Sequence, residues 1–151
     1  MNPAGPMLDQ LNIVSGNLEE SIAFYRRLGV EILEERVWRT PSGIHHASAS
    51  EVERSAIDLD LDSIAFARVW NGGWRGRRDL QGRVVIGFKL ASRTDVDTTY
   101  ADLTGAGHTG LQAPYDAFWG SRYAVVEDPD GVAVGLMSPP SSQLRSAPPE
   151  V

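Results

Sequence analysis

Residues Arg122 to Met137 read RYAVVEDPDGVAVGLM. Tyr123–Glu127 and Val132–Met137 are apolar, largely β-branched runs separated by Asp128-Pro129-Asp130-Gly131. Proline presets one backbone angle of a turn, aspartate bonds the backbone beside it, and glycine takes the positive φ such a turn needs. The stretch is therefore a β-hairpin near the end of the chain.

Leu8–Ser15 alternates, with Leu11 and Ile13 on one face and Gln10 and Asn12 on the other, which predicts a strand. Asn17 caps a helix, Glu20 completes a capping-box-like pattern, and Gly29 ends it. Strands are predicted at Glu31–Trp38, Ile44–Ser50 and Ser55–Asp62, with a charged turn at Glu51–Arg54. Ser63–Trp70 reads as a short helical segment, Asn71–Gly82 as a Gly/Arg-rich connector, and Arg83–Ala91 as another strand. Asp95 then caps a second helix that Gly107 ends.

The two helices share one plan. Asn17, Leu18, Ile22, Tyr25, Leu28 and Gly29 are matched in kind and spacing by Asp95, Val96, Tyr100, Leu103, Ala106 and Gly107. Duplication of a unit that cannot bury its own sheet face predicts two modules packed side by side, residues 8–70 and 83–138. Residues 1–6 are a Pro/Gly lead-in, and residues 139–151, SPPSSQLRSAPPEV without its first serine, lack the apolar content to fold and are expected to be disordered.

At 151 residues and 42% hydrophobic content the chain is one domain with a real core. Its net charge of −6 and pI near 5.0 argue against a nucleic-acid partner and favour a neutral or cationic ligand. Without cysteine there is no disulfide, thiolate metal site or cysteine nucleophile. No apolar run reaches the ~20 residues that span a bilayer, and MNPAGPMLDQ lacks the pattern of a secretory signal. A soluble cytoplasmic protein is expected, with no membrane partner.

The Glu-Asp-Pro-Asp-Gly hairpin, the helix Leu18-Glu19-Glu20-Ser21-Ile22-Ala23-Phe24-Tyr25-Arg26-Arg27-Leu28-Gly29 and the duplicated plan together resemble the vicinal oxygen chelate superfamily. That superfamily contains glyoxalase I, the bleomycin-resistance proteins and the extradiol dioxygenases. The resemblance implies an α+β fold of two βαβββ modules whose mixed sheets curl around a concave cavity. It also implies a homodimer.

Enzymes of this superfamily hold a divalent metal with His, Gln and Glu side chains on inner strands, and such a site needs three or four converging donors. The matching positions here are Gln10, Asp58 (or Asp60 if the alignment slides), Val85 and Gly135. The last two carry no donor. The resemblance therefore implies no metal cofactor and points to the bleomycin-resistance branch, whose dimers sequester a cationic, aromatic drug.

The remaining candidates come from the residues themselves. Asp58, Asp60 and Asp62 alternate with Ile57, Leu59 and Leu61, so the three carboxylates share one sheet face, either cavity or solvent. His45 and His46 are adjacent on a strand and point to opposite faces, so at most one reaches the cavity; His46 is the candidate, although a structural role suits all three histidines. Trp38, Trp70, Trp74, Tyr115, Phe118 and Trp119 could form a stacking wall or close the core. The expected ligand contacts are thus Gln10, Trp38, His46, Asp58, Asp60, Trp70, Trp74, Tyr115, Phe118 and Trp119. The function expected is binding of a small molecule, a drug or metabolite, cationic or aromatic. The alternatives are a metal-dependent glyoxalase-type lyase, isomerase or dioxygenase, and a metal-free tailoring enzyme with the aspartates as acid and base.

Overall fold

The computed structural model describes residues 5–51 and 57–151. The expected charged turn at 51–54, the first residues of the strand expected at 55–62 and most of the N-terminal lead-in lie outside the described residues. The first module runs β1 (Met7–Ser15), α1 (Leu18–Leu28), β2 (Val37–Thr40), β3 (Gly43–Ser48), β4 (Asp58–Ser63) and then α2 (Ile64–Trp70). The second runs β5 (Val84–Lys89), α3 (Arg93–Gly105), β6 (Gly110–Asp116), β7 (Arg122–Glu127) and β8 (Ala133–Met137). All eight strands form one mixed sheet in the order β2-β3-β4-β1-β5-β8-β7-β6, curled but not closed. The expected α+β architecture of paired βαβββ units is what the chain adopts.

The closing hairpin forms by the local chemistry of its turn. Asp128 Oδ1 accepts from the backbone N–H groups of Asp130 and Val132, both at 2.8 Å. Gly131, at φ 83°, donates its N–H to the Asp128 carbonyl. Each helix is capped by a side chain: Asn17 accepts from the Glu20 N–H, and Ser92 accepts from the Asp95 N–H. Ser92, not Asp95, is the cap of α3. Asp95 is the third residue of the helix; its backbone N–H donates to the Ser92 hydroxyl oxygen, and its carboxylate accepts from the same hydroxyl.

Two further expectations are corrected, and one strand was not expected. The strand expected over 31–38 is only β2, because Glu34–Arg36 makes a 3-10 turn held by Arg39 on Glu34 and by Arg26 on the Ile32 carbonyl. Leu28 is exposed, so the buried stripe of α1 is Leu18 and Ile22. And β6, invisible in the periodicity, is an edge strand with two register shifts and a proline at position 114, features that erase a period-two pattern.

The sheet separates two environments. On its outer face α1 packs Leu18 and Ile22 over Ala47 and Leu61, and α3 packs Val96 over Ala124 and Leu136. The inner face carries Val14, Val85, Tyr123, Val125 and Ala133, and α2 with the 3-10 turn Gly72–Trp74 packs on this side through Phe66, Trp70 and Trp74. No helix among the described residues is long and apolar enough to cross a membrane.

The tail follows a defined path, contrary to what its composition predicts. Ser141 and Ser146 donate backbone hydrogen bonds to the Gly120 and Phe118 carbonyls, and the Ser42 hydroxyl donates to the Val151 carbonyl. Backbone hydrogen bonds carry no hydrophobic signature, and prolines lower the entropy lost on ordering, so composition misses this kind of anchoring. Gly120 has φ 94°, and a Cβ there would lie 2.3 Å from the Ser141 carbonyl oxygen. Gly120→Ala is therefore expected to destabilise the protein by about 1–3 kcal/mol and to lift the tail. Thermal unfolding reads the first effect and acrylamide quenching of tryptophan the second; an unchanged quenching constant would contradict the placement.

Candidate functional site

The inner face has two unlike halves. In the first module β1 and β4 run parallel with Gln10, Asn12 and Val14 beside Asp58, Asp60 and Asp62. On β3, His46 lies directly opposite Asp62, and on β2 Trp38 lies opposite His46. In the second module the same face carries Val85, Gly87, Gly135, Val125 and Tyr123. Polar groups are thus concentrated on one wall and apolar ones on the other.

Between them is a cavity of about 370 Å³, within the range of small-molecule sites. Trp38, Phe66, Phe118 and Trp119 form a continuous run of rings meeting largely edge to face, with centroids 5.1 to 6.1 Å apart along the run. Trp70 and Met137 add to the lining, and Pro148 of the tail reaches it.

The polar wall is one hydrogen-bonded chain. Asp62, 1% exposed, contacts His46 Nδ1 through Oδ1 at 2.5 Å and accepts from Asn12 Nδ2 at 2.9 Å through Oδ2. Gln10 Nε2 donates to Asn12 Oδ1 and to Asp60 Oδ2, at 2.7 and 2.9 Å. Burial pushes the Asp60 carboxyl up to about 7, against the pull of His46 and with the help of the Asp62 and Asp58 charges. Burial opposes the charge on His46, yet the hydrogen bond and charge of Asp62, with Asp60 behind, raise it to about 8. The wall therefore holds groups that gain and lose protons near neutral pH.

Seven expected contacts come together here: Gln10, Trp38, His46, Asp60, Trp70, Phe118 and Trp119. The aspartate row faces the cavity at Asp60 and Asp62, whereas Asp58 is at the exposed end of the strand, outside the lining. Trp74 is 1% exposed in the core and does not reach the cavity. Tyr115 borders a neighbouring cleft that shares Trp70, Phe118 and Trp119. Burial also pushes the Tyr115 hydroxyl above its ordinary range. His45 is buried beside Thr40 and Ser42, which both hydrogen-bond its Nε2. Of the residues not foreseen as contacts, Asn12 and Asp62 continue the alternations of Gln10 and Asp60. Phe66, Tyr123, Met137 and Pro148 had no local signal.

The metal held by the superfamily's enzymes would lack two of its four expected ligands in this chain. Val85 and Gly135 offer no donor on the second module's strands. Moreover, the space where a side chain at 135 would project is filled, because a Cβ there would lie 2.9 Å from Tyr123 Oη. Among the described residues no three His, Cys, Asp or Glu side chains are grouped to hold an ion.

A family model described as "Glyoxalase/Bleomycin resistance protein/Dioxygenase superfamily" matches residues 7–136. No curated protein matches. Among solved structures, a hypothetical protein from Bacillus halodurans C-125 is 16% identical, with TM-score 0.63 over 91% of this chain and 97% of that one. Methylmalonyl-CoA epimerase from Mycobacterium tuberculosis is 18% identical, with TM-score 0.60 over 91% and 89%. A Streptomyces coelicolor methylmalonyl-CoA epimerase in complex with 2-nitronate-propionyl-CoA is 23% identical, with TM-score 0.60 over 93% and 98%. Identities this low speak for the fold alone.

Proposed function

Because this chain belongs to the glyoxalase/bleomycin resistance protein/dioxygenase superfamily, we propose that its cavity binds a small ring-bearing organic molecule, neutral or cationic, without a resident metal. The observation that carries this reading is the aromatic run facing a carboxylate-bearing wall across one cavity. Rings on the ligand stack or meet edge to face with Trp38, Phe66, Phe118 and Trp119. A cationic group is drawn to those rings and, above the pH at which its carboxyl ionises, to Asp60. The indole N–H groups of Trp70 and Trp119 are buried and lack a hydrogen-bond partner among the described residues. Sequestration of a drug or metabolite is the biological role this implies.

Titrating the tryptophan fluorescence with flat cationic, neutral and anionic ring compounds tests the reading. Saturable quenching by the first two classes is expected, weakened about tenfold, equivalent to 1.4 kcal/mol, in Trp119→Ala. Preferential binding of anions, or no saturable binding in any class, would contradict it. So would about one divalent metal per purified chain that is lost in Asp60→Ala.

A further inference from the structure

We propose that His46 is a catalytic base, its Nε2 accepting a proton from a molecule seated against the aromatic wall, with Asp62 as its positioning residue. This rests on the binding reading above and adds chemistry to it: an isomerisation or elimination started by proton abstraction. Four observations converge. Asp62 is fully buried and both its oxygens are engaged, one by His46 Nδ1 and one by Asn12, so it cannot swing away from the ring. With Nδ1 turned to a carboxylate, Nε2 is the nitrogen left for other chemistry, and His46 lines the cavity with a side chain 29% exposed. Phe66 meets the imidazole nearly perpendicularly, at 6.0 Å and 82°, so the base works beside an apolar surface. Finally, Asp60, held by Gln10, stands on the same wall. A base oriented by a buried carboxylate is the arrangement general-base catalysis requires.

A purely structural pairing of β3 to β4 needs no orientation of Nε2, and this separates the two roles. The probe is 5-nitrobenzisoxazole, a flat ring whose opening needs only a base. The proton on the carbon beside nitrogen passes to Nε2, the C–H electron pair completes a nitrile, and the N–O bond breaks with its pair left on the phenolate oxygen. The imidazolium then returns the proton to that oxygen or to water. The product is an isomer of the probe, so no oxidant, metal or co-reactant enters.

At a pH about one unit above the raised value of His46, turnover should exceed that of equimolar free imidazole by about 100-fold or more. It should fall to background in His46→Gln, return in part when imidazole is added to His46→Gly, and drop at least about tenfold in Asp62→Asn. Tryptophan quenching by the same probe reports occupancy independently. Bound probe without His46-dependent turnover overturns the proposal. Nitrogen-15 NMR of the His46 ring decides it even for a probe that does not bind, an outcome that would count against the binding reading instead. A neutral ring protonated on Nδ1, becoming mixed in Asp62→Asn, supports the proposal; a ring protonated on Nε2 overturns it, since no lone pair then remains for the ligand.

Discussion

Trp74→Ala is expected to lower the unfolding free energy by about 3–5 kcal/mol, the usual cost of deleting a large buried aromatic. The ring is 1% exposed and packs in the cluster that joins Val14 of β1, Leu80 and Val85 of β5. It meets Trp70 at a centroid distance of 5.7 Å. The 3-10 turn that carries it is fixed by Asn71 capping the Gly73 N–H and by the Gln112 side chain accepting from the Gly72 N–H. The backbone cannot slide inward to refill the space: even a Cβ at Gly73 would come within 2.6 Å of the Leu111 carbonyl oxygen. Urea unfolding measures the loss. In native conditions the same variant should bind ring compounds nearly as the parent does, because Trp74 is absent from the lining, whereas Trp119→Ala should weaken binding. The opposite pattern would return Trp74 to the site.

The second large effect is a stability profile that falls as pH rises. Asp60 carries a folded-state value of about 7 against an ordinary 3.8, so between those values the folded chain keeps a proton that the unfolded chain has lost. Stability therefore drops with rising pH across that window. His46 adds the same sign higher up: its value of about 8 lies above the ordinary 6.5, and the stability it contributes, complete below 6.5, is lost as pH passes 8. Asp60→Asn should abolish the lower slope and, with the Gln10 contact still possible through an amide oxygen, leave the protein more stable at pH 8 by on the order of 2–4 kcal/mol. Denaturant midpoints across pH 4 to 9 follow the profile. A parent protein that gains stability from pH 4 to 7, with no difference in Asp60→Asn, would show that the carboxyl is ionised and solvated.

Both effects arise because a polar wall is buried against an aromatic one. Desolvation makes Asp60 costly to ionise, and that cost is of the kind that proteins keep at sites of function. The two modules turn their inner faces toward one cavity, and those faces differ chemically. Gln10, Asp60, Asp62 and His46 occupy the first half, while Val85, Gly135 and Tyr123 fill the second.

The residues by themselves determined everything that depends on neighbours a few positions apart. The Asp-Pro-Asp-Gly turn, the Asn17 cap, the helix stop at Gly29 and the common face of Asp60 and Asp62 follow from local hydrogen bonds and from periods of 3.6 and 2. Recurrence of that pattern gave the two modules. Tertiary structure alone decided which face of the aspartate row meets the cavity, that Trp70 lines it while Trp74 is core, and that Pro148 of the tail reaches it. It also decided the pairing of Asp62 with His46 and with Asn12, partners 16 and 50 positions away. Those contacts are set by the register of β4 between β1 and β3. A register slip of one residue would turn every one of these side chains to the opposite face, and no local interaction in the sequence encodes which register wins.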